Sequence, residues 1–169
     1  MDINEKLGKW IAVYTKPRHE KTVADYLKKK GFKIYLPLVK ERRKWSDRKK
    51  WVQYPLFKSY LFVKIQIKDS IFIIQTPGIV NIIKFGNEIA TVNSKTISAL
   101  KLMISGNYNP TSTDYFIKGE PVIVKNGPLK GIQGEVARID ENDRLILRIE
   151  SIQNSISVKI NRAFLSKLK

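Results

Sequence analysis

The densest run of chemically capable side chains is residues 40–51, KERRKWSDRKKW, with seven basic and two acidic residues and indoles at Trp45 and Trp51. Cations at that density suit phosphate oxygens, and indole faces stack on unpaired bases. With Ser46-Asp47 as a turn, flanking strands would place alternate residues on one face as a cationic ridge. The same composition also suits a solvated edge ribbon, in which Lys and Arg block edge-to-edge pairing. A second cluster, Lys16-Pro17-Arg18-His19-Glu20-Lys21, sits at a predicted helix start, where free backbone amides attract anions. His19 is the single histidine and there is no cysteine. Disulfides and thiolate sites are excluded, and His19 has no second His or Cys for a familiar metal cluster. Carboxylates of the N-terminal half are scattered, unlike those of a metal-dependent nuclease. No catalytic residue, metal or cofactor is expected.

A third stretch is Pro55-Leu56-Phe57-Lys58-Ser59-Tyr60-Leu61-Phe62-Val63. In a strand Tyr60 and Phe62 point one way, Leu61 and Val63 the other. Periodicity alone reads it as core; a face left uncovered would offer aromatics to a partner. The fourth, residues 118–136, carries Gly119, Gly127, Gly131 and Gly134 as turn positions between strands. It is not a phosphate loop, because the Gly-Lys-Ser/Thr ending and following helix are missing.

Strands and helices must position these groups. Residues 10–14 (WIAVY) read as a buried strand. A helix follows, with Pro17 in its first turn and Gly31 as its left-handed stop. Its sides are read as Val23, Tyr26, Leu27 and Lys30 against Glu20, Lys21 and Lys28. Residues 32–36 form a second strand, two more flank the basic run, and residues 60–65 form another. Asp69 or Ser70 caps a short apolar helix through Gln75, stopped by Pro77-Gly78. Residues 79–85 read as a strand, and Asn93 or Ser94 caps a helix with Ile97, Leu100 and Ile104 at helical spacing. This order predicts an α+β sandwich on an antiparallel sheet, spanning residues 1–106. Residues 105–114 (SGNYNPTSTD) are polar and aperiodic, so 107–116 are read as a linker. Residues 117–169 carry short strands at 121–125, 136–139, 145–149 and 156–160, which predict a small β-barrel.

The chain has 169 residues, 43% of them hydrophobic, enough for a packed core. Its net charge is +17, and residues 1–110 hold 22 of the 32 basic residues but only 8 of the 15 acidic ones. Such clustering points to a polyanion, nucleic acid before a membrane surface. No apolar run approaches the roughly 20 residues of a membrane span, and residues 1–9 lack the apolar segment of a secretory signal. A cytoplasmic monomer is expected.

Two of these motifs together are specific. Gly-Pro-Leu-Lys-Gly-Ile-Gln-Gly-Glu-Val at 127–136, preceded by Gly-Glu-Pro-Val-Ile-Val, resembles a KOW motif. The WIAVY strand, the Lys16–Glu20 helix start, residues 55–63 and Thr76-Pro77-Gly78-Ile-Val resemble the NusG N-terminal (NGN) domain, in order across nearly the whole chain. The Leu-Phe-x-x-Tyr-Leu-Phe-Val stretch and Lys84-Phe85-Gly86 look closest to specialised paralogues of the UpxY and RfaH types. The resemblance implies an NGN-type α/β sandwich followed by an SH3-like KOW barrel. It implies a transcription elongation or antitermination factor that modulates pausing and termination, such as a regulator of a polysaccharide operon. The N-terminal domain would grip the RNA polymerase clamp at Tyr14, Phe57, Tyr60 and Phe62. Its nucleic-acid-facing residues, toward DNA or nascent RNA, would be Lys16, Arg18, His19, Arg42, Arg43 and Lys44. Leu129, Ile132 and Ile152 match the positions where housekeeping relatives hold Rho or a small ribosomal subunit protein. Those positions are aromatic in the housekeeping pattern and aliphatic here, with Gln153 following. A housekeeping NusG and a KOW-containing ribosomal or RNA-binding protein are the alternative readings. RfaH-type factors store the second domain as a helical hairpin. The Ile- and Val-rich segments and the breakers Gly119, Pro121, Gly127, Pro128, Gly131 and Gly134 predict constitutive strands here instead.

Overall fold

The computed structural model describes residues 8–44, 49–106, 108–113, 118–139 and 141–168. The chain folds as two compact units, Met1–Ser94 and Lys95–Lys169.

The first unit is built around β1 (Lys9–Thr15). On one side β1 pairs antiparallel with β5 (Tyr60–Ile65), which in turn pairs with β2 (Lys33–Tyr35). On the other side it pairs with β6 (Ile79–Ile82), and near its start with β9 (Thr91–Val92). Period-2 alternation separates the faces. Ile11, Val13, Leu61, Val63 and Ile65 form one buried cluster with Val23 and Leu27 of helix α1 (Glu20–Lys29) and Ile73 of helix α2 (Ser70–Ile74). Each such side chain contributes roughly 1.5–3 kcal/mol by leaving water.

The buried arc of α1 is Glu20, Val23, Ala24 and Leu27. This i, i+3, i+4, i+7 spacing corrects the assignment of Glu20 to the polar side; Tyr26 and Lys30 are exposed instead, with the Lys30 ammonium 5.7 Å from the Tyr26 ring centre. The helix also starts later than expected. His19 is its N-cap, so Pro17 lies in the turn before it. A single 3₁₀ turn, Ile67–Asp69, runs directly into α2, so Asp69 makes no side-chain cap. The strand expected at 79–85 breaks at Ile83, giving β6 and then β7 (Lys84–Phe85), which pairs with β8 (Glu88–Ile89).

The basic run forms a ladder of its own. β3 (Leu38–Lys44) pairs with β4 (Lys49–Pro55) from Leu38↔Pro55 to Lys44↔Lys49. The expected turn at Ser46-Asp47, and Trp45 with it, lies outside the described residues.

The boundary between the units falls after the first residue of helix α3 (Ser94–Ser105), whose Ile97, Ala99, Leu100 and Met103 are buried. Six antiparallel strands follow in the order β10-β14-β13-β12-β11-β15: β10 (Thr111–Thr113), β11 (Glu120–Val124), β12 (Gln133–Ile139), β13 (Asn142–Ile149), β14 (Asn154–Lys159) and β15 (Leu165–Lys167). The stretch read as linker thus supplies a strand. Thr-Ser-Thr pairs with residues 155–157, and the Arg144 guanidinium donates to Thr111 Oγ1 at 2.7 Å and to Ser157 Oγ at 2.8 Å. Among the described residues 118–168 the regular elements are strands and single 3₁₀ turns. A buttress crosses the sheet, where Arg148 donates to Glu135 at 2.6 and 2.8 Å and Glu135 also accepts from the Gly119 amide. The Arg148 guanidinium, above all, holds the Glu135 carboxyl below the usual range.

Candidate functional site

The register of β1 against β5 sets Tyr14 opposite Tyr60, with ring centres 5.2 Å apart and planes tilted by 57°. Two residues further along the same face of β5 lies Phe62. Phe57 meets its ring edge-on at 6.2 Å, and Tyr35, its partner on β2, stacks at 6.4 Å. The result is an aromatic row across three strands, graded in depth. Phe62 is 0% exposed and Phe57 2%, while Tyr14, Tyr35 and Tyr60 are half-buried. Of the four aromatics expected to face a partner, Tyr14 and Tyr60 therefore present surface, and Phe57 and Phe62 are buried.

What holds Tyr60 in place was not foreseen. Residues 56–59 make a tight turn in which Ser59 adopts left-handed backbone, φ +64°. The Glu20 carboxylate, 6% exposed, accepts from the Ser59 amide at 2.7 Å. The Ser59 carbonyl accepts from the Thr15 amide at 2.8 Å, and the Tyr60 amide donates to the Phe57 carbonyl at 3.3 Å. One buried carboxylate on α1 thus clamps the turn that carries both Phe57 and Tyr60. Its sequence signal was the position of Glu20 on the apolar arc of the helix.

The cationic residues fall into two groups. Lys16, Arg18 and His19 are exposed just before α1. Arg18 has left-handed backbone, φ +64°, and His19 Nδ1 lies 3.0 Å from the Pro17 carbonyl. The turn at Gly78 packs against them, with the Lys16 amide donating to the Gly78 carbonyl at 2.9 Å. A Cβ at Gly78 would stand 2.9 Å from Val23 Cγ2, and φ there is +91°, so only glycine fits. Lys21, counted with this cluster, is committed elsewhere: its ammonium donates to the Gln53 carbonyl at 2.8 Å and ties α1 to β4. The second group is the hairpin. Arg42 is exposed and pairs across the ladder with Trp51, which is 65% exposed; Arg43 and Lys44 pair with Lys50 and Lys49. In the second unit Leu129, Ile132 and Ile152 are all buried, and the exposed Gln153 after them is left-handed at φ +47°.

Two phenols of the aromatic row carry a pH dependence. Burial pushes the Tyr35 hydroxyl well up, and burial, then the charge of an ionised Tyr14, raises that of Tyr60. The fold therefore favours neutral phenols. Their contribution is complete below the ordinary tyrosine value of about 10 and is lost as pH rises through the higher folded values. Urea unfolding should show stability falling from about pH 10 upward, and Tyr35→Phe should make that fall shallower.

Among the described residues no three His, Asp or Glu side chains gather as a metal would require, and no helix is long and apolar enough to cross a membrane. Residues 8–101 match the family described as transcription termination factor nusG. The structure titled "Domain interaction in Thermotoga maritima NusG" is 21% identical, covers 98% of this chain and 99% of that one, and superposes with a TM-score of 0.54. A chain of the MjSpt4:Spt5 complex is 20% identical over 95% of this chain and 98% of that one, with a TM-score of 0.31. The first likeness is one of fold. The family match covers more than half of the sequence and takes in the aromatic row, the helix start and the hairpin alike, so the chain belongs to the NusG family of transcription factors.

Proposed function

We propose that this chain is an elongation factor of the specialised UpxY or RfaH type, acting in the cytoplasm as a monomer and catalysing nothing itself. Tyr14 and Tyr60 dock on the clamp of RNA polymerase, with Phe57 and Phe62 as their floor. Lys16, Arg18, His19, Arg42, Arg43 and Lys44 then face the DNA or the nascent RNA. The observation that carries this reading is the half-buried Tyr14–Tyr60 pair, which is clamped from beneath and belongs to the same unit as both cationic groups. Aromatic side chains that pay little entropy on docking are the usual anchors of protein interfaces. The second unit is read as a KOW-type barrel. A small ribosomal subunit protein or Rho is the partner class the family would place near Leu129, Ile132 and Ile152. Their burial makes these three a packing floor, and the contact falls to neighbours such as Gln153.

The test uses the full-length tagged chain and core polymerase. Polymerase should be retained, and pausing on a defined template should change. A variant with alanine at Arg42, Arg43 and Lys44 should keep polymerase binding while the salt slope of elongation-complex binding drops by about one unit per lost phosphate contact. Failure to retain polymerase would sink the assignment. An unchanged salt slope would return the hairpin to an edge-protecting ribbon.

A further inference from the structure

The second unit contains a recess of about 90 Å³ that the polymerase reading does not use. Typical small-molecule pockets run to roughly 300–1,000 Å³, so this one suits a single flat ring left partly in water. Its walls are Tyr108 and Phe164, its floor is Leu129, and its rim carries Asn126, Lys159 and Asn161. Leu129 is buried, whereas Phe164 is 41% exposed, a large apolar ring kept at the surface.

Both rims are fixed in advance. The Phe164 amide donates to the Asn161 carbonyl at 3.0 Å, and the Phe164 carbonyl accepts from the Lys125 amide at 2.7 Å. On the opposite rim the Lys130 amide donates to the Gly127 carbonyl at 3.0 Å, and the Gly131 amide to the Val124 carbonyl at 2.8 Å. Gly127, at φ +81°, brings bare backbone alongside the ring; a Cβ there would stand 3.8 Å from it. Asn161 Oδ1 accepts from the Ala163 amide at 2.9 Å, which fixes this side chain at the rim. Lys159 on the rim and the nearby Lys125 and Lys130 are exposed, and among the described residues no carboxylate lines the recess.

We propose that this recess holds one unpaired nucleobase of a single-stranded nucleic acid. The base stacks on Phe164, with Asn126 and Asn161 at its polar edge and the Lys159 ammonium at the flanking phosphate. Base stacking needs an exposed aromatic face, and backbone tracking needs cations beside it; this rim supplies both without base-specific geometry. A peptide strand would look for a free backbone edge, and this recess offers side chains.

The experiment uses the isotope-labelled full-length chain, titrated with octauridylate, with octathymidylate and with a short duplex. Either single strand should shift the resonances of Tyr108, Lys159, Asn161 and Phe164, and the relative affinities identify RNA or DNA as the source. Phe164→Leu keeps the residue apolar and should weaken single-strand binding about ten-fold while leaving the salt slope unchanged. Phe164→Trp should restore binding, and 4-thiouridine should cross-link the wild-type chain within residues 159–168. Alanine at Arg42, Arg43 and Lys44 should leave the recess shifts in place, so failure here and failure of the hairpin's role are read separately. Shifts confined to residues 40–53, equal affinity of Phe164→Leu, or a duplex that competes as well as a single strand would each overturn the proposal. Shifts confined to 40–53 would leave the recess to a protein ligand.

Discussion

Alanine at Tyr60 should lower the affinity of the full chain for core RNA polymerase by about 30-fold or more, the scale of an interface hot spot. Tyr60 sits half-buried with one flank on Tyr14 and a clamped turn behind it, so its ring is positioned before any partner arrives. Truncation removes that ring and leaves the matching hollow of the partner unfilled. Tyr14→Ala should act similarly, and the double variant should fall short of the sum, because touching residues do not add. Phe62→Ala is the contrasting variant. That side chain is 0% exposed, and its removal should destabilise the fold by about 3–5 kcal/mol. Equilibrium binding measured beside urea unfolding separates the two effects. A folded Tyr60→Ala protein that binds polymerase like the wild type would remove the aromatic pair from the interface.

Glu20→Ala should cost about 1–3 kcal/mol of stability, chiefly through one lost hydrogen bond. It strands the Ser59 amide, which is buried and donates to that carboxylate at 2.7 Å. An orphaned donor of this kind costs about 1–3 kcal/mol. The bond holds Ser59 in its left-handed conformation, so its loss also frees the turn to relax. Glu20→Gln keeps an acceptor oxygen and should cost less. Ser59→Gly relieves the strain and should recover part of the loss in the Glu20→Ala background. The same Glu20→Ala variant should weaken polymerase binding through the displaced turn at 56–59. Urea midpoints with an unchanged m-value give the stability change; a shift within about 0.5 kcal/mol would show that the clamp carries nothing.

Local patterns that obey one period were legible. The short apolar, aromatic runs WIAVY and YLFV anticipate β1 and β5, and the pairing of these strands puts Tyr14 beside Tyr60. The density of Lys and Arg at 40–50 anticipates the paired ribbon. Positions decided by three-dimensional neighbours were less accessible. Glu20 shares the helical spacing of Val23, Ala24 and Leu27, but that spacing does not reveal its partner, 39 residues away. Thr111–Thr113 reads as linker because a three-residue edge strand has no period to display; its partner β14 and the reach of Arg144 place it in the sheet. Lys21 reads as an anion ligand until the Gln53 carbonyl claims it. In the second unit Leu129, Ile132 and Ile152 were placed by resemblance, and aliphatic side chains at those positions turn inward.

Among the described residues the β3–β4 ribbon shares no ladder with the five-stranded sheet, and the Lys21 ammonium ties it to the helix through the Gln53 carbonyl. Selection therefore acts on two separately paired objects. A descendant can lengthen, shorten or recharge the ribbon without disturbing the pairing that sets Tyr14 against Tyr60. If the proposed roles hold, relatives would diverge fastest in which stretch of nucleic acid they favour and slowest in how they grip the polymerase.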